Sequence, residues 1–357
     1  MESRLTIIVP TLNEESALRV LLDDLAGQRG LDFSLILADG GSVDATLALF
    51  DDLAPSLPFP ATQIRAPRGR GSQMNAGAAF AEEGDLLFLH ADSRIPEPEF
   101  LAKAASLIDA ARAASGDNRV AGHFALRFCD GGDFFHHFYE AKTATGREGT
   151  INGDQGLWLS REFFYELGGF DETFPFMEDA RIEGKIRSKG LFVLLPGRLG
   201  TSVRRFKAEG RAARQLLNAL LRAFDHLKVT CFFDAAQKLY VEQSQTGRLT
   251  LLPYLSAAHE ALWRGGVRRG LALFYRAGSF ARGNFWQLPF ALDSLFARAK
   301  GAPSGEVRAR LTAMAERPYE FLTDNPPGRA LAALLTFGAF YVFMASCKLL
   351  SPAKRER

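Results

Sequence analysis

Cysteine is scarce in this chain. Its 357 residues hold three, Cys129, Cys231 and Cys347, far apart and odd in number; such a set builds neither a disulfide framework nor a zinc cluster and suits a reducing compartment. Net charge is nearly absent as well: 43 Lys and Arg stand against 41 Asp and Glu, a formal +2. No global field therefore selects nucleic acid as a partner, and any basic function must be local. No internal repeat is evident. No long apolar run opens the chain either: Leu5 to Val9 is ended by Pro10, too brief for the core of a secretion signal, and it reads as a first strand.

What is present is length and rhythm. A chain of this size buries a full core and can hold one large domain with an appended region. Up to about Leu195, short apolar runs alternate with amphipathic stretches, the pattern of strand and helix taking turns around a mostly parallel sheet. Strands are predicted at 5–9, 33–38, 62–65, 86–89 and 120–128. Helices fit at 15–26 after a cap at Asn13, at 45–53 after Ser42, and at 73–81 and 97–114. Ligands of such sheets sit at the carboxyl ends of the strands, which singles out the residues from Pro10 to Glu14, from Asp39 to Asp44 and from His90 to Asp92.

After Arg205 the character changes to helices rich in Arg and Phe, such as 212–224, 216–227 and 271–280, with turn signals at Gly265-Gly266 and 302–305. Residues 330–347 carry no charge and only Thr336 and Ser346 as polar interruptions, and Lys348, Lys354, Arg355 and Arg357 follow. That length is at the lower limit for a membrane-spanning helix, and the stretch reads as membrane-embedded rather than as a buried core helix. Three regions result: an α/β domain at 1–205, a basic and aromatic helical region at 206–328, and an apolar helix at 329–350 that is a candidate membrane segment.

Chemistry-bearing residues gather at the strand ends. Pro10-Thr11-Leu12-Asn13-Glu14 supplies polar side chains suited to a base and ribose; alone, Asn13 and Glu14 read as a helix cap and a first-turn acid. In Asp39-Gly40-Gly41-Ser42-Val43-Asp44, an acid at a strand tip can accept hydrogen bonds from a nucleobase or ribose, or serve a turn. The segment from Arg68 through Gly69-Arg70-Gly71 to Gly77 offers glycines, outward amides at a helix start and two arginines, a combination that suits a diphosphate. It is no P-loop, since no Gly-Lys-Ser/Thr follows, and no dinucleotide fingerprint, since Met74 holds the third glycine position. His90-Ala91-Asp92 can present an imidazole and a carboxylate on one side, toward a shared cation or phosphate. Gly153-Asp154-Gln155-Gly156 precedes an apolar run, and Gly168-Gly169-Phe170-Asp171 leads to Phe176-Met177-Glu178-Asp179 before a helix at 180–189. Paired acids there are first-turn acids stabilised by the helix dipole, or a general base.

The order of these motifs is more specific than any one of them. The series Pro10-Thr11-Leu12-Asn13-Glu14, Asp39-Gly40-Gly41-Ser42-x-Asp44, Gly69-Arg70-Gly71-x-Gln73-Met74-Asn75-x-Gly77, His90-Ala91-Asp92, Gly168-Gly169-Phe170 and Glu178-Asp179 resembles the family 2 glycosyltransferases of GT-A fold over about residues 4–200. Within that family it looks most similar to the branch labelled as arsenosugar-biosynthesis glycosyltransferases. The resemblance implies an α/β fold, a GT-A Rossmann-like mostly parallel sheet flanked by helices, with an α-helical C-terminal extension. It also implies a nucleotide-diphosphate-sugar donor, UDP- or GDP-linked, with Thr11, Asn13, Glu14 and Asp39 around the nucleoside. Arg70 and Asn75 then lie near the diphosphate, and His90 touches phosphate or sugar.

Where the family carries Asp-x-Asp for Mg2+ or Mn2+, this chain reads His90-Ala91-Asp92, which leaves Asp92 as the expected protein ligand of a divalent cation. The implied reaction is an in-line displacement at the anomeric carbon with inversion. Asp179 is the expected base and Glu178 its rival, while Asp154 and Gln155 line the acceptor or sugar side. The basic-aromatic helices and the apolar stretch point to a lipid-linked acceptor and to the cytoplasm or the cytosolic face of a membrane. A nucleotidyltransferase of related fold would want a glycine-rich segment and a lysine right after the first strand, where this chain has Pro10-Thr11-Leu12-Asn13. A non-catalytic nucleotide-sugar-binding or membrane-assembly protein would keep the fold without turnover.

Overall fold

The computed structural model describes residues 5–173, 177–244 and 249–350, so Phe176, Lys354, Arg355 and Arg357 lie outside the described residues. The chain divides into two compact units, Met1–Val203 with Pro303–Glu306, and Arg204–Ala302 with Val307–Arg357.

Strand and helix alternate through the first unit: β1 (Leu5–Thr11), α1 (Glu15–Ala26), β2 (Phe33–Asp39), α2 (Thr46–Leu53), β3 (Ala61–Arg65), α3 (Arg70–Phe80), β4 (Asp85–Phe88), α4 (Phe100–Ser115), β5 (Val120–Phe128), α5 (Phe134–Thr143), β6 (Leu157–Ser160), α6 (Arg161–Glu166), α7 (Glu178–Lys189) and β7 (Leu191–Thr201). They form a seven-stranded sheet in the order β3-β2-β1-β4-β6-β5-β7. The first four strands pair in parallel, β6 runs antiparallel to both β4 and β5, and β7 is parallel to β5. The fold class is the expected one, a mostly parallel sheet flanked by helices with a helical C-terminal region.

Both faces of this sheet are covered, which explains why β1 is mostly apolar, with Thr6 the one polar residue among residues 5–9. Leu5, Ile7 and Val9 meet Leu18, Leu21 and Leu22 of α1, Phe50 of α2 and Ile108 of α4. Ile8 points the other way, onto Met74 and Ala78 of α3, Phe163 of α6 and Ile186 of α7. Each fully buried side chain of this kind contributes about 1.5–3 kcal/mol relative to exposure.

Helix starts and caps differ from expectation at several places: α3 begins at Arg70 rather than 73, and α4 at Phe100 rather than 97. Asn13 does not cap α1: Glu14 is the N-cap, and Asn13 takes a left-handed φ of 58°. Ser42 does not cap α2; the Asp44 carboxylate accepts the Thr46 amide at 3.0 Å instead. The helix expected at 180–189 already begins at Glu178, so both acids lie inside its first turn. β6 and β7 are additional to the predicted strands. β6 is too short to show a period, and β7 contains Pro196-Gly197, accommodated by a register shift between His123 and Ala125 of β5.

The second unit is helical among its described residues: α8 (Arg204–Glu209), α9 (Arg211–Leu227), α10 (Cys231–Ser244), α11 (Leu252–Trp263), α12 (Val267–Gly283), α13 (Gln287–Ala299), α14 (Arg310–Thr323) and α15 (Pro326–Leu350). The apolar stretch at 330–347 falls within α15, whose most apolar window has a mean hydropathy of 1.9 and is 0% buried. Cys129, Cys231 and Cys347 form no disulfide among the described residues.

Candidate active site

Parallel pairing of β1 with β2 sets Thr11 opposite Asp39 at the carboxyl rim of the sheet. Asp39 is buried, and its carboxylate is filled by its own loop: Oδ2 accepts the amides of Gly41 and Ser42 at 2.8 and 3.0 Å, while Oδ1 accepts the hydroxyls of Ser42 at 2.5 Å and Thr11 at 3.4 Å. Two loops are laced together beyond it. The Asn13 amide donates to Ser42 Oγ at 2.9 Å, Asn13 Oδ1 accepts the Val43 amide at 2.9 Å, and the Glu14 amide donates to Thr46 Oγ1 at 2.8 Å. The buried Gln73 joins the strand ends from below, its Nε2 donating to the carbonyls of Thr11 at 2.7 Å and Ala38 at 2.8 Å. Gly40 leaves the space this amide needs, since a Cβ there would stand 2.9 Å from Gln73 Cδ.

A second corner forms where β4 ends. Antiparallel pairing sets Phe88 opposite Leu157, so the 3-10 turn Gly153–Gln155 just before β6 lies beside the residues just after β4. His90 Nδ1 there sits 2.8 Å from Asp154 Oδ1, with the imidazole 11% exposed and the carboxylate 42%. The Gly153 amide donates to Asp179 Oδ2 at 2.6 Å, and Asp179 Oδ1 accepts the Ala180 amide at 2.7 Å. A Cβ on Gly153 would stand 2.8 Å from the imidazole carbon Cε1, so only glycine admits this approach.

Asp179 and Glu178 occupy the first turn of α7, where free amides and the helix dipole stabilise negative charge. Met177 precedes them in a left-handed conformation, φ 69°, a strained setting for a side chain of its size. Arg70 Nη1 lies 3.1 Å from Glu178 Oε1, with side chains 37% and 8% exposed. Burial opposes the Arg70 charge, yet the carboxylates of Glu178, Asp154 and Asp179 outweigh it and hold the guanidinium pKa above its ordinary value. A small, mostly apolar cavity of about 30 Å³ joins His90 and Gly153 to Glu178 and Asp179, floored by Met74, Phe88 and Phe170. Its volume is about that of one water, so it is the floor of a site and not a chamber for a whole nucleotide sugar.

The remaining candidates fall into two groups. Asp92 is half-buried after β4, outside the wall of that cavity, and carries no hydrogen bond among the described residues. Asn75 is committed to the chain: Nδ2 donates to the Phe170 carbonyl at 2.9 Å and to Glu172 Oε1 at 2.6 Å, and Oδ1 accepts the Phe170 amide at 3.0 Å. Gln155, expected on the acceptor side, is fully buried. Its amide is spent on the Asn152 amide at 3.0 Å, the Phe124 carbonyl at 3.0 Å and His123 Nδ1 at 3.2 Å. Gln73 and Gly153 gained no separate role from sequence; a polar side chain among the apolar neighbours Met74 and Ala78 is the signal Gln73 carried.

Chemically, the rim offers a buried acid with threonine and serine hydroxyls at one corner. At the other it offers a cation, an imidazole and three carboxylates around a helix N-terminus. The first set can read hydroxyl and amide donors; the second can take a proton from a hydroxyl beside a cation-stabilised leaving group.

The family described as "Glycosyl transferase family 2" matches residues 6–168. A "PGL/p-HBAD biosynthesis glycosyltransferase" of Mycobacterium tuberculosis is 40% identical over 104 residues, covering 29% of this chain and 41% of that protein. The "Succinoglycan biosynthesis protein ExoA" of Rhizobium meliloti is 24% identical over 193 residues, 52% of this chain and 58% of that one. The chain thus matches between two-fifths and three-fifths of the length of these curated relatives. Among solved structures, the mannosyltransferase PcManGT from Pyrobaculum calidifontis in complex with GDP-Man and Mn2+ is 19% identical, with a TM-score of 0.47 over 98% of this chain and 88% of that one. S. aureus TarS 1-349 in complex with UDP-GlcNAc is 16% identical, with a TM-score of 0.49 over 85% of this chain and 93% of that one.

Proposed function

We propose that this chain, whose residues 6–168 match glycosyltransferase family 2, moves a sugar from a UDP- or GDP-linked donor to a lipid-linked acceptor, with inversion at the anomeric carbon. The observation that carries the reading is the convergence of Asp179, Gly153, His90, Asp154 and Arg70 at one corner of the sheet rim. Asp39 and Thr11 stand at the carboxyl ends of β2 and β1 on that rim.

Each residue then has a task. Asp39, Thr11, Asn13 and Glu14 mark the nucleoside corner, where the glycines Gly40 and Gly41 allow a base or ribose to reach the backbone. Asp179 removes the proton of the acceptor hydroxyl as its oxygen attacks the anomeric carbon. The bond from that carbon to the diphosphate oxygen breaks on the opposite face, and its electron pair leaves with the diphosphate. Glu178, ion-paired with Arg70 and only 8% exposed, is the rival base. Arg70 and His90 face the developing negative charge.

A divalent cation fits this donor set through Asp92, whose carboxylate has no hydrogen-bond partner among the described residues. No three His, Cys, Asp or Glu side chains are placed to hold a metal ion among the described residues, so Mg2+ or Mn2+ at Asp92 would take its other ligands from the diphosphate and water. Such an ion, when bound, neutralises charge on the departing diphosphate. The uncovered apolar α15 supports an acceptor presented at a membrane, and cysteines without a disulfide suit its cytosolic side.

A thermal-shift panel of UDP- and GDP-sugars, with and without Mn2+, tests the reading. A true donor at 100 times its dissociation constant stabilises the protein by about 2.7 kcal/mol, and Asp92→Asn is expected to remove the part that depends on Mn2+. Stabilisation by no nucleotide sugar, in either condition, would overturn it.

A further inference from the structure

Helix α13 is built inside out. Leu288, Leu292, Leu295 and Phe296 are 63%, 51%, 47% and 54% exposed, while Asp293 and Ser294 are 6% and 0% exposed. Spacings of four, three and one residue put the apolar side chains on one stripe of the helix. The inward polar groups are satisfied. Asp293 accepts the amides of Leu311 and Thr312 at 3.0 and 2.9 Å and the Thr312 hydroxyl at 2.8 Å, which caps the start of α14. Ser294 Oγ donates to the Phe290 carbonyl at 2.7 Å. In water a helix turns its leucines in and its acids out; the reverse arrangement suits an element whose outer solvent is hydrocarbon.

α15 shows the same inversion independently. Its Tyr341 hydroxyl turns inward, accepting from Trp263 Nε1 at 2.6 Å and sitting 2.9 Å from His259 Nδ1, and Ser346 Oγ donates back to the Val342 carbonyl at 2.9 Å. Against α12 the contact is made by small residues: a Cβ on Gly278 would stand 2.4 Å from the Ala333 backbone, the close approach by which helices associate in lipid. Leu334, Leu335 and Val342 are left 65–70% exposed.

Charge identifies the medium. The helical unit carries 24 Lys and Arg against 10 Asp and Glu, a net +14, whereas the unit holding the sheet carries 19 against 31, a net −12. The near-zero total hides this division. Arg298 and Lys300, exposed at the end of α13, sit where long basic side chains reach from an apolar layer to phosphates. An apolar stripe within a unit of net +14 matches an anionic bilayer.

We infer that α13 lies in the plane of an anionic lipid bilayer, with Leu288, Leu292, Leu295 and Phe296 in the acyl layer and Arg298 and Lys300 at the headgroups. This deepens the reading that the helical unit works at a membrane, a reading α15 alone would satisfy. Flotation of the full-length protein with phosphatidylcholine vesicles, with and without phosphatidylglycerol, needs neither donor nor turnover and so stands apart from the sugar-transfer reading.

Native protein is expected to float best with the anionic vesicles. The variant Leu292→Glu/Phe296→Glu is expected to need about tenfold more lipid for the same bound fraction, while Phe80→Glu, at an exposed apolar position of α3, leaves binding unchanged. Leu288→Gln/Leu295→Gln repeats the test on the same stripe without added charge, should the glutamates disturb folding. Native-like flotation of both α13 variants would overturn the inference yet leave α15 as an anchor; failure of the native protein to float would remove the membrane reading as well. Unchanged flotation together with a shift from dimer to monomer on size exclusion would assign the stripe to a second copy of the chain.

Discussion

The Gly153 amide donates to Asp179 Oδ2 at 2.6 Å. That one contact locks the start of α7 to the turn before β6, and the same turn holds His90 through Asp154 at 2.8 Å. A carboxylate, an imidazole and a helix N-terminus are thereby fixed by backbone geometry rather than by flexible side chains alone.

Gly153→Ala should break this arrangement, because its Cβ would meet the His90 ring at 2.8 Å. Overpacking of this kind costs about 1–3 kcal/mol, visible as a few degrees in the melting temperature. The loss in kcat is expected to be larger than that stability cost implies, about tenfold or more, since a misplacement of about 1 Å is enough to weaken catalysis.

Arg70 and Glu178 offer a stability test. Arg70→Ala leaves a carboxylate only 8% exposed beside two further acids, at a cost of about 1–3 kcal/mol; Arg70 itself is 37% exposed, so screening places the effect toward the lower end. Adding Glu178→Gln removes the stranded charge and should recover part of the loss. Denaturant unfolding of the double-mutant cycle measures this, and strictly additive effects would show that the pair is not coupled.

Strands β1, β2 and β4 are readable because they are buried on both faces and so are mostly apolar; the predicted 120–128 and 15–26 also coincide with β5 and α1. The strand tips follow from that, which is why Thr11, Asp39 and His90 are legible in the sequence. The meeting of His90 with Asp154 was not readable. It depends on β6 turning back antiparallel to β4, a long-range pairing carried by four residues with no period of their own. Gln155 shows the same limit at shorter range: a tight turn sends Asp154 outward to 42% exposure and its neighbour Gln155 to 0%. In α13 the apolar stripe looks in sequence like any core-facing stripe, and only burial reveals that it faces out.

Acid should loosen the packing behind the 153–155 turn, where Gln155 meets His123. Burial, opposed by the Phe124 carbonyl and aided by Arg187, pushes the His123 pKa down from 6.5 to about 4. The folded state thus binds fewer protons than the unfolded chain between these values, and stability present above pH 6.5 is lost as the pH falls toward 4. The full effect is about 3 kcal/mol. Because Gln155 Nε2 sits 3.2 Å from His123 Nδ1, activity should fade across the same window. His123→Asn should flatten the melting temperature against pH in this range; an unchanged slope would mean that His123 is not the titrating group.

The most direct measurement is the rate at which the stabilising nucleotide sugar is consumed in the presence of Mn2+, by native protein and by Asp179→Asn. The variant should keep its fold and its donor-induced thermal shift, and lose about 10²–10⁴ in rate, the contribution of a positioned general base. Equal rates for the two proteins would contradict sugar transfer driven by Asp179.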